Sequence, residues 1–277
     1  MASTPGLAQI AFMQREQAVR YLATECVPVN PDTAALEAEW DGSVARLGAP
    51  IANFGTPTIS DVPQSHQGYV AQLRGSPDWH PMFAANPHWE LKLVEAAPLL
   101  AYQFSVLDGT ANDHGTGLSA PPTLDELLNA CLPLAQAPED FSVVQQHNSA
   151  LIRSKSLNLR PLQFGMVSPG CFMLQVGGAL PFVHVVRFNG RCYLHNGYHR
   201  TYAALRAGAT VVPCIFRDVV SEQEIGLSPG TFSLATLESP NPPTMHHFVS
   251  GQAQSVDLIV KMRTIHLNWT DWVVPEV

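Results

Sequence analysis

The stretch RCYLHNGYHRTYAALRAG, residues 191–208, decides the fold. Residues 191–196 predict a β-strand, which Gly197 ends. A helix is predicted over 198–207, because this segment contains three good helix formers in a row. Gly208 then occupies the position at which a C-terminal cap is expected. The order strand, glycine, helix, glycine is therefore predicted for this part of the chain.

The flanking sequences extend this pattern in both directions. Residues 181–188, PFVHVVRF, alternate well enough to predict a strand, and Asn189-Gly190 is a strong signal for a two-residue hairpin turn. After the helix, residues 211–216, VVPCIF, predict the next strand. The sequence thus predicts a β-hairpin that leads through a glycine into a helix and then into a third strand.

The N-terminal part of the chain has a different character. Helices are predicted over much of residues 1–48, where apolar residues are spaced three and four apart. Residues 49–90 are rich in Pro, Gly and Asn, which predicts loops and short elements, and residues 98–108 predict a strand. Residues 109–122 predict a loop, after which Thr123 is expected to cap a helix whose first turn is acidic.

The remaining segments complete an α+β fold. Polar strands are predicted early in the segment that begins at residue 141, and a last helix is predicted over residues 255–267. We therefore expect three parts, namely a mostly helical and irregular N-terminal region (1–140), a core (141–220) and a C-terminal extension packed on that core (221–277).

Charge is distributed unevenly along the 277 residues, whose formal net charge is −8. No Asp or Glu occurs between Phe141 and Arg217, so this segment carries a formal charge of +8. The rest of the chain, with seven basic and 23 acidic residues, carries −16. Such asymmetry favours an anion site, although the alternative is that these arginines pair with acids elsewhere. The basic residues of the segment are Arg153, Lys155, Arg160, Arg187, Arg191, Arg200, Arg206 and Arg217.

The start of the predicted helix has the chemistry of a phosphate-binding corner. The first amides of a helix are unpaired, and together they carry about half a positive charge. Gly197 allows a ligand to approach the backbone, and His199 and Arg200 add side-chain donors in the first turn. Arginine is suited to bidentate phosphate contacts. The alternative is a tight turn from strand to helix in which the arginine is an ordinary surface charge.

Residues 183–217 resemble the ParB/sulfiredoxin superfamily. The resemblance consists of a hairpin, a Gly-x-His-Arg turn, an Ala-rich helix, a glycine and a strand that contains Val-Pro. In addition, Arg160-Pro161-Leu162 is similar to an Arg-Pro-Leu that precedes the core in sulfiredoxins. It implies a small mixed sheet, and a nucleotide whose phosphates lie at the helix start. The residues that carry it are Gly197, His199, Arg200, Ala203, Ala204, Gly208, Val212 and Pro213.

Two activities of this superfamily do not suit the residues present. Sulfiredoxin chemistry needs a nucleophilic cysteine in the turn, where this chain has Tyr198, so we reject it. DNA partitioning needs a basic surface after the nucleotide domain. Only Lys261 and Arg263 are basic after Arg217, against seven acidic residues, so the sequence disfavours nucleic acid as a partner. Nucleic-acid binding through the basic residues of 153–160 stays a weaker alternative.

An ATP-dependent phosphotransferase that acts on a small molecule fits the residues better. The alternative is a non-catalytic module that senses a nucleotide or binds a protein partner; Asn196 favours it, because relatives often have an acid at this position. The resemblance implies ATP, or another nucleotide, and Mg²⁺ as cofactors. The residues expected to bind the nucleotide are Asn196, Gly197, Tyr198, His199, Arg200 and Thr201, with Arg153, Lys155 and Arg160 adding positive charge.

Catalytic carboxylates must come from outside the basic segment, which contains none. Asp108, Asp113 and His114 lie in or beside the predicted loop 109–122, and a loop rich in Gly, Asp and His can hold Mg²⁺ or a water. The alternative is a solvated turn. We predict that Asp108, Asp113, His114 and His199 are catalytic, and that Asp108 and Asp113 are metal ligands.

Other sequence features favour a cytoplasmic protein. No apolar run reaches the ~18 residues that a membrane span needs. The first residues lack the basic start and long apolar core of a signal peptide. Five scattered cysteines without a close pair are typical of reduced thiols. We therefore expect a cytoplasmic location, a nucleotide and a small-molecule acceptor as partners, and no membrane partner, while the oligomeric state stays open.

Overall fold

The protein is an α+β chain whose parts fold into two compact units. The computed structural model describes residues 2–77, 79–135, 140–156, 159–169, 171–178 and 181–270. The first unit comprises Met1–Ala135 and Pro181–Ile259, and the second comprises Gln136–Leu180 and Val260–Val277. Each unit therefore combines segments that are distant in the sequence.

The helices that the structure describes lie in the first unit. They include several short elements that link or terminate strands. The α-helices are α1 (Arg15–Glu25), α2 (Thr33–Ala45), α3 (Gln67–Gly75), α4 (His80–Ala85), α5 (Asp108–Gly115), α6 (Leu124–Cys131), α7 (Tyr198–Arg206), α8 (Leu234–Leu237) and α9 (His246–Val249), with 3-10 turns at Ile10–Phe12, Gln64–His66 and Glu222–Ile225.

The strands are shared between the two units. Those numbered 5 to 8 and 13 belong to the second unit, and the others belong to the first. The strands are β1 (Ser3–Ala8), β2 (Ile59–Asp61), β3 (Glu90–Glu95), β4 (Ser105–Leu107), β5 (Ser142–Gln146), β6 (Ser149–Ser154), β7 (Leu159–Ser168), β8 (Cys171–Gly178), β9 (His184–Phe188), β10 (Arg191–Asn196), β11 (Val211–Asp218), β12 (Gln254–Ile259) and β13 (Arg263–Asn268).

A mixed five-stranded sheet organises the first unit, with the strand order β10-β9-β11-β3-β2. Strands β9 and β11 run parallel, and every other neighbouring pair is antiparallel. A smaller antiparallel sheet has the order β12-β1-β4. Strands β10 and β11 lie on either side of β9, so the chain passes β9 between them, and α7 lies in that connection.

The hairpin and helix predicted from residues 181–208 are confirmed. Strands β9 and β10 pair antiparallel around Asn189 and Gly190, which both have positive φ, as a type I′ turn requires. Helix α7 follows directly, with Gly197 as its N-cap. Gly208, two residues after the end of the helix, has a left-handed conformation with φ of +90°. The chain then enters β11, in which Ile215 lies beside His184 of β9.

Helix α7 is held against the sheet by an apolar core. Tyr198, Tyr202 and Ala204 are buried on the helix, and Phe182, just before β9, belongs to the same buried cluster. The Phe182 ring is 1% exposed and lies 4.3 Å, centroid to centroid, from the buried Trp79. Burial of a large aromatic side chain stabilises the fold by roughly 1.5–3 kcal/mol. The Phe182 carbonyl accepts a hydrogen bond from Asn196, which links this packing to the residue before Gly197.

Three further helices were predicted correctly. Helices α1 and α2 lie where apolar residues are spaced at three and four. Helix α6 begins after Thr123, whose hydroxyl accepts the Glu126 amide while the Glu126 carboxylate accepts the Thr123 amide. This reciprocal pair is a capping box, a feature that two residues three apart in sequence can specify on their own.

Several other predicted elements were wrong. The predicted loop 109–122 contains most of α5, and the predicted helix 255–267 is replaced by β12 and β13. Of the predicted strand 98–108, only Ser105–Leu107 forms β4. Strand β1 lies in a region predicted to be helical. The errors at β1 and β12 have a common cause, since these two strands pair across almost the whole chain, and pairing at such distance overrides local propensity.

The predicted division at residues 140 and 220 does not coincide with the two units. Residues 141–220 do not fold together, because β9, β10 and β11 pair into a sheet with β3 and β2 from the N-terminal region. Strands β5 to β8 instead belong to the other unit. A strand needs neighbours to satisfy its backbone, and these neighbours come from residues 59–95.

The second unit consists of β-structure in its described residues. Strands β13, β6 and β5 form a three-stranded antiparallel sheet. Strands β7 and β8 form a separate two-stranded hairpin, in which β7 has ten residues and β8 has eight. The predicted strands in the segment that begins at residue 141 are therefore confirmed.

Two expectations about the whole chain can be compared with the structure. All five cysteines are free thiols; Cys171 is exposed, and Cys26, Cys131, Cys192 and Cys214 are buried. Among the described residues, no helix has both the length and the apolar character that crossing a bilayer requires.

Candidate functional site

The corner between β10 and α7 depends on Gly197. This residue is the N-cap of α7 and has a left-handed conformation, with φ of +90°. A Cβ atom at this position would lie 2.8 Å from the Cα of Val183 and 2.9 Å from its Cγ2. Both the backbone conformation and the close approach of β9 therefore require glycine.

Three of the predicted nucleotide-binding residues turn their side chains toward the protein. Asn196 donates through Nδ2 to the carbonyl oxygen of Phe182 at 3.0 Å. The buried Tyr198 hydroxyl accepts the amide of Tyr102 at 3.0 Å. Thr201 is fully buried. A ligand at this corner would therefore meet the main chain of these residues and not their side chains.

His199, Arg200 and His114 form a cluster of nitrogen donors at the start of α7. Arg200 is partly buried, and its Nη1 donates to the carbonyl oxygen of Ala130. Among the described residues, no carboxylate lies within 4.0 Å of its guanidinium, and its other N–H groups make no hydrogen bond. The arginine thus brings a cation to the corner, and the part of the chain that the structure describes supplies no carboxylate to pair with it.

The two histidines of this cluster are neutral near pH 7. Burial lowers the pKa of His199 to about 4, and its Nε2 is buried without a hydrogen-bond partner among the described residues. Burial, followed by the charge of Arg200 and the proximity of His199, lowers the pKa of His114 to about 4. Helix α5 thus brings His114 to the corner that the other two residues occupy.

The predicted carboxylates do not join this cluster. Asp108 accepts the hydroxyl of Tyr202 at 3.3 Å and lies 3.8 Å from Nη1 of Arg206, toward the far end of α7. Asp113 is exposed on the same helix. Five residues along a helix correspond to a rotation of about 140°, so the two carboxylates do not share a face on which they could bind one metal ion. No cluster of three metal-ligating side chains occurs in the part of the chain that the structure describes.

The basic segment is divided by the fold. Arg153, Lys155 and Arg160 belong to the second unit, where the first two are exposed and Arg160 donates to the carbonyl oxygen of Leu159 at 3.0 Å. The three residues predicted to add charge to the corner thus belong to a different unit from Gly197 and Arg200.

Other arginines of the segment pair with acids outside it, which was the alternative interpretation of the charge asymmetry. Arg187 binds Asp218 through two hydrogen bonds of 2.6 and 2.9 Å. Arg217 lies 3.6 Å from Glu224, and Arg206 pairs with Asp108. Arg200 differs from these three because it has no carboxylate partner in the described residues.

A second polar cluster was not recognised from the sequence. The rings of His184 and His195 lie 4.8 Å apart, and the ring of Trp89 lies 5.1 Å from that of His184. The guanidinium carbon of Arg217 lies 5.9 Å from the Trp89 ring centroid. Burial lowers the pKa of His184 to about 3. The turn at residues 189–190 fixes the register of the hairpin, and this register brings His184 at the start of β9 close to His195 at the end of β10. Counting residues outward from the predicted turn could therefore have identified this pair of histidines.

Two surface pockets are lined by residues outside both clusters. One, of about 470 Å³, is lined by Asp61, Gln64, Gln67, Arg74 and their neighbours. The other, of about 190 Å³, is lined mainly by residues 22–29 and 254–257. Neither contains a predicted site residue. Comparisons with protein-family models, with curated proteins and with solved structures found no match.

Proposed function

We propose that this protein binds the phosphate groups of a nucleotide at the start of α7. The observation that carries the proposal is Arg200, a partly buried cation with no carboxylate partner in the described residues, beside His114 and His199. The resemblance to the ParB/sulfiredoxin superfamily gives the same corner the same role. A hairpin, a glycine, a helix and a strand in a mixed sheet are consistent with that resemblance.

The electrostatic environment of Arg200 supports an anionic ligand. A cation that is partly removed from water loses hydration free energy unless an anion compensates it. Its pKa is lowered by burial, which is the direction expected for an uncompensated cation. A phosphate would provide the missing charge and accept hydrogen bonds from the unused guanidinium N–H groups. The unpaired amides of the first helical turn favour the same charge.

The histidines add a response to ligand charge. His114 and His199 are neutral near pH 7, because burial disfavours the protonated forms of both and the charge of Arg200 adds to this effect at His114. A phosphate dianion at this corner raises both pKa values, since a nearby negative charge stabilises an imidazolium. Binding is therefore accompanied by proton uptake at any pH between the free-state pKa values of about 4 and the raised values of the bound state, and it tightens as the pH falls through that range.

Transfer of a phosphoryl group to a small molecule is a second candidate function. A neutral imidazole beside a bound phosphate can accept the proton of an attacking hydroxyl, and His114 is such a group. The carboxylates give less support, because Asp108 is held by Tyr202 and Arg206 and because Asn196 cannot act as a base. The described residues do not fit a resident Mg²⁺ site. The alternative of a non-catalytic sensing module needs only Arg200, His114 and His199, and requires neither a metal ion nor a catalytic carboxylate.

Nucleotide binding can be tested by calorimetry with ATP, CTP, ADP and inorganic phosphate, each with and without Mg²⁺. Arg200→Gln is expected to weaken binding by roughly 10- to 100-fold, because it removes charge-assisted hydrogen bonds. Arg206→Gln is the matched control, since this arginine is on the same helix but pairs with Asp108. Equal affinities of Arg200→Gln and the wild type, or no heat with any of the four compounds, would overturn the proposal.

The same samples distinguish sensing from transfer. ATP turnover that disappears in His114→Gln while ATP binding persists supports a phosphotransferase. Binding without turnover over a panel of small hydroxyl compounds supports a sensing module. Both results are compatible with nucleotide binding at the start of α7. The choice between sensing and transfer is therefore tested independently of the binding proposal.

A further inference from the structure

The hairpin of β7 and β8 separates its residues cleanly between two faces. In its register Gln163 pairs with Gln175, Phe164 with Leu174, and Met166 with Phe172. Paired residues point to the same side of a sheet, and neighbours along a strand point to opposite sides. One side, the aromatic face, therefore consists of Phe164, Met166, Phe172, Leu174 and Val176. The other side carries Gln163, Gly165, Met173 and Gln175. Leu162 also lies on that other side, at the register shift between Pro161 and Gln163, where its Cδ1 is beside the position that a Gly177 Cβ would occupy.

The aromatic face is exposed. Phe164 is 71% exposed, Phe172 is 66% and Met166 is 64%, while Leu174 and Val176 are half-buried. The rings of Phe164 and Phe172 stack on one another, with centroids 6.1 Å apart and an interplanar angle of 12°. At about 200 Å² for each large side chain, the three exposed residues present roughly 400 Å² of apolar surface, to which Leu174 and Val176 add a smaller amount. A typical monomer has few patches of that size, and such patches commonly mark an interaction site.

The hairpin also lacks other strand neighbours. Among the described residues, β7 and β8 pair only with each other. A two-stranded hairpin is marginally stable in water, and it becomes stable when an apolar layer packs on one face. The alternation of apolar and polar residues indicates that one layer is missing on the aromatic face, because the glutamine-bearing face suits water.

We propose that the aromatic face binds the aromatic face of a second copy of this chain, so that two hairpins pack face to face in a symmetric dimer. The first argument is area. Two faces of roughly 400–500 Å² bury roughly 800–1,000 Å² in total, which approaches the area at which specific protein interfaces begin. A two-fold arrangement is the commonest geometry for homodimers, because each patch then needs only to complement itself.

The second argument is charge. No charged side chain occurs between Arg160 and Arg187, so the aromatic face can meet its own copy without placing like charges opposite each other. A self-complementary surface of this kind favours a second copy over a charged partner, because Arg160 at the start of β7 is the one charged residue in the two strands and does not lie on the aromatic face. Methionine and phenylalanine side chains also have the polarizable, flat surfaces that pack well in interface cores.

Sedimentation analysis over a range of protein concentrations tests the proposal. The wild type is expected to form dimers, and the double variant F164Q/F172Q is expected to raise the dissociation constant by roughly 100-fold or more. M173Q is the matched control, because it makes the same kind of change on the opposite face and is expected to leave the dimer unchanged. A wild type that is monomeric at every concentration, or a dimer that both variants retain equally, contradicts the proposal.

A second measurement requires no change on the aromatic face. Cys171 is the exposed thiol of the chain and lies at the tip of the hairpin, so a spin label attached there reports on a second copy. The ten residues of β7 span about 33 Å, which keeps the two labels within measurable distance in either orientation of the hairpins. Dipolar coupling that disappears on mixing with excess unlabelled protein supports the dimer. Absence of coupling, or coupling that appears only with phosphatidylcholine vesicles, overturns it in favour of no partner or a lipid surface.

Discussion

The start of α7 and the β7–β8 hairpin depart from ordinary packing in opposite directions. At the start of α7, polar nitrogen atoms lie inside the protein, including Nε2 of His199, which has no partner among the described residues. On the hairpin, apolar side chains such as Phe164 and Phe172 lie outside. Folding alone favours neither arrangement. A buried polar group without a hydrogen-bond partner costs free energy, and so does an apolar side chain that stays exposed to water.

The comparison shows why the two regions call for different kinds of partner. A buried donor gains most from an acceptor that brings charge into a confined place, so the corner at α7 suits a small anion. An exposed apolar sheet gains most from the removal of water over a wide area, so the hairpin suits a second protein surface. The difference in burial between the two regions also predicts how much the free energy of unfolding changes when a side chain in each region is removed.

The largest expected effect contrasts one phenylalanine from each region. Phe182 is 1% exposed and packs against Trp79, so Phe182→Ala is expected to lower the free energy of unfolding by about 3–5 kcal/mol. Phe164→Ala removes an exposed ring and is expected to change the unfolding free energy of the monomer by less than about 0.5 kcal/mol. Urea denaturation at low protein concentration measures both values.

Similar losses from the two alanine variants would contradict this contrast. They would mean that the hairpin side chains are already covered within one chain, and the reason for a partner on the aromatic face would disappear. The experiment therefore tests the burial on which the dimer proposal depends, independently of any measurement of mass.

The sequence was informative where structure is determined locally. The Asn189-Gly190 turn, the Gly197 break and the Gly208 cap defined the hairpin and α7, and the Thr123 capping box defined α6. Each of these signals involves residues a few positions apart, whose backbone preferences do not depend on the rest of the chain.

The sequence was misleading where packing at a distance decides. Residues 109–115 contain Gly, Asn and Asp, which favour turns, yet they form most of α5, where Gly115 lies close to Ala203 of α7. Residues 255–267 have a spacing compatible with a helix, yet they form parts of β12 and β13 in two different sheets. Neither outcome follows from local preference, because the partners lie more than about 85 residues away in the sequence.

The candidate site was partly predictable for the same reason. Gly197, His199 and Arg200 are neighbours in sequence, so the corner could be identified before the fold was known. His114 was predicted as a catalytic residue of a loop, and the structure brings it to this corner on a helix. The separation of Arg153 and Lys155 into another unit, and the pairing of Asp108 with Tyr202 and Arg206, depend on tertiary structure that spacing does not report.

A smaller effect contrasts glycines of the two regions. At Gly197 an alanine would adopt a left-handed conformation and place its Cβ 2.8 Å from the Cα of Val183, so Gly197→Ala is expected to cost about 2–4 kcal/mol. Gly190→Ala has the same unfavourable sign of φ but open space, and it should cost about 1–2 kcal/mol.

Gly165→Ala, in the hairpin, completes this comparison. No atom lies within 4 Å of its added Cβ, and its φ is outside the left-handed region, so it should be nearly neutral or slightly stabilising. The expected order of unfolding free energies by denaturant titration is Gly197→Ala lowest, then Gly190→Ala, then Gly165→Ala. A Gly197→Ala protein as stable as Gly190→Ala would show that the close contact with Val183 does not constrain the corner.

The smallest expected effect concerns acid. The pKa of His199 is about 4 in the folded protein, below its ordinary value of about 6.5, so the unfolded chain binds a proton at a pH where the folded chain does not. The contribution of neutral His199 to the free energy of unfolding is therefore fully present above pH 6.5 and is lost progressively as the pH falls toward 4. His199→Gln should recover about 1–2 kcal/mol of the loss between pH 7 and pH 5. His147→Gln, in an exposed turn of the second unit, is the control.

Urea titrations at the two pH values measure this recovery, and an equal loss in wild type and His199→Gln would exclude His199 as a source of acid sensitivity. The hairpin provides the contrast, because between Arg160 and His184 its only titratable side chain is Cys171. Its self-association should therefore be the same at pH 7 and pH 5, whereas phosphate binding at the α7 corner should tighten over the upper part of that range. A dimer that dissociates on acidification while the fold persists would mean that charged groups, and not the aromatic face, hold the two copies together.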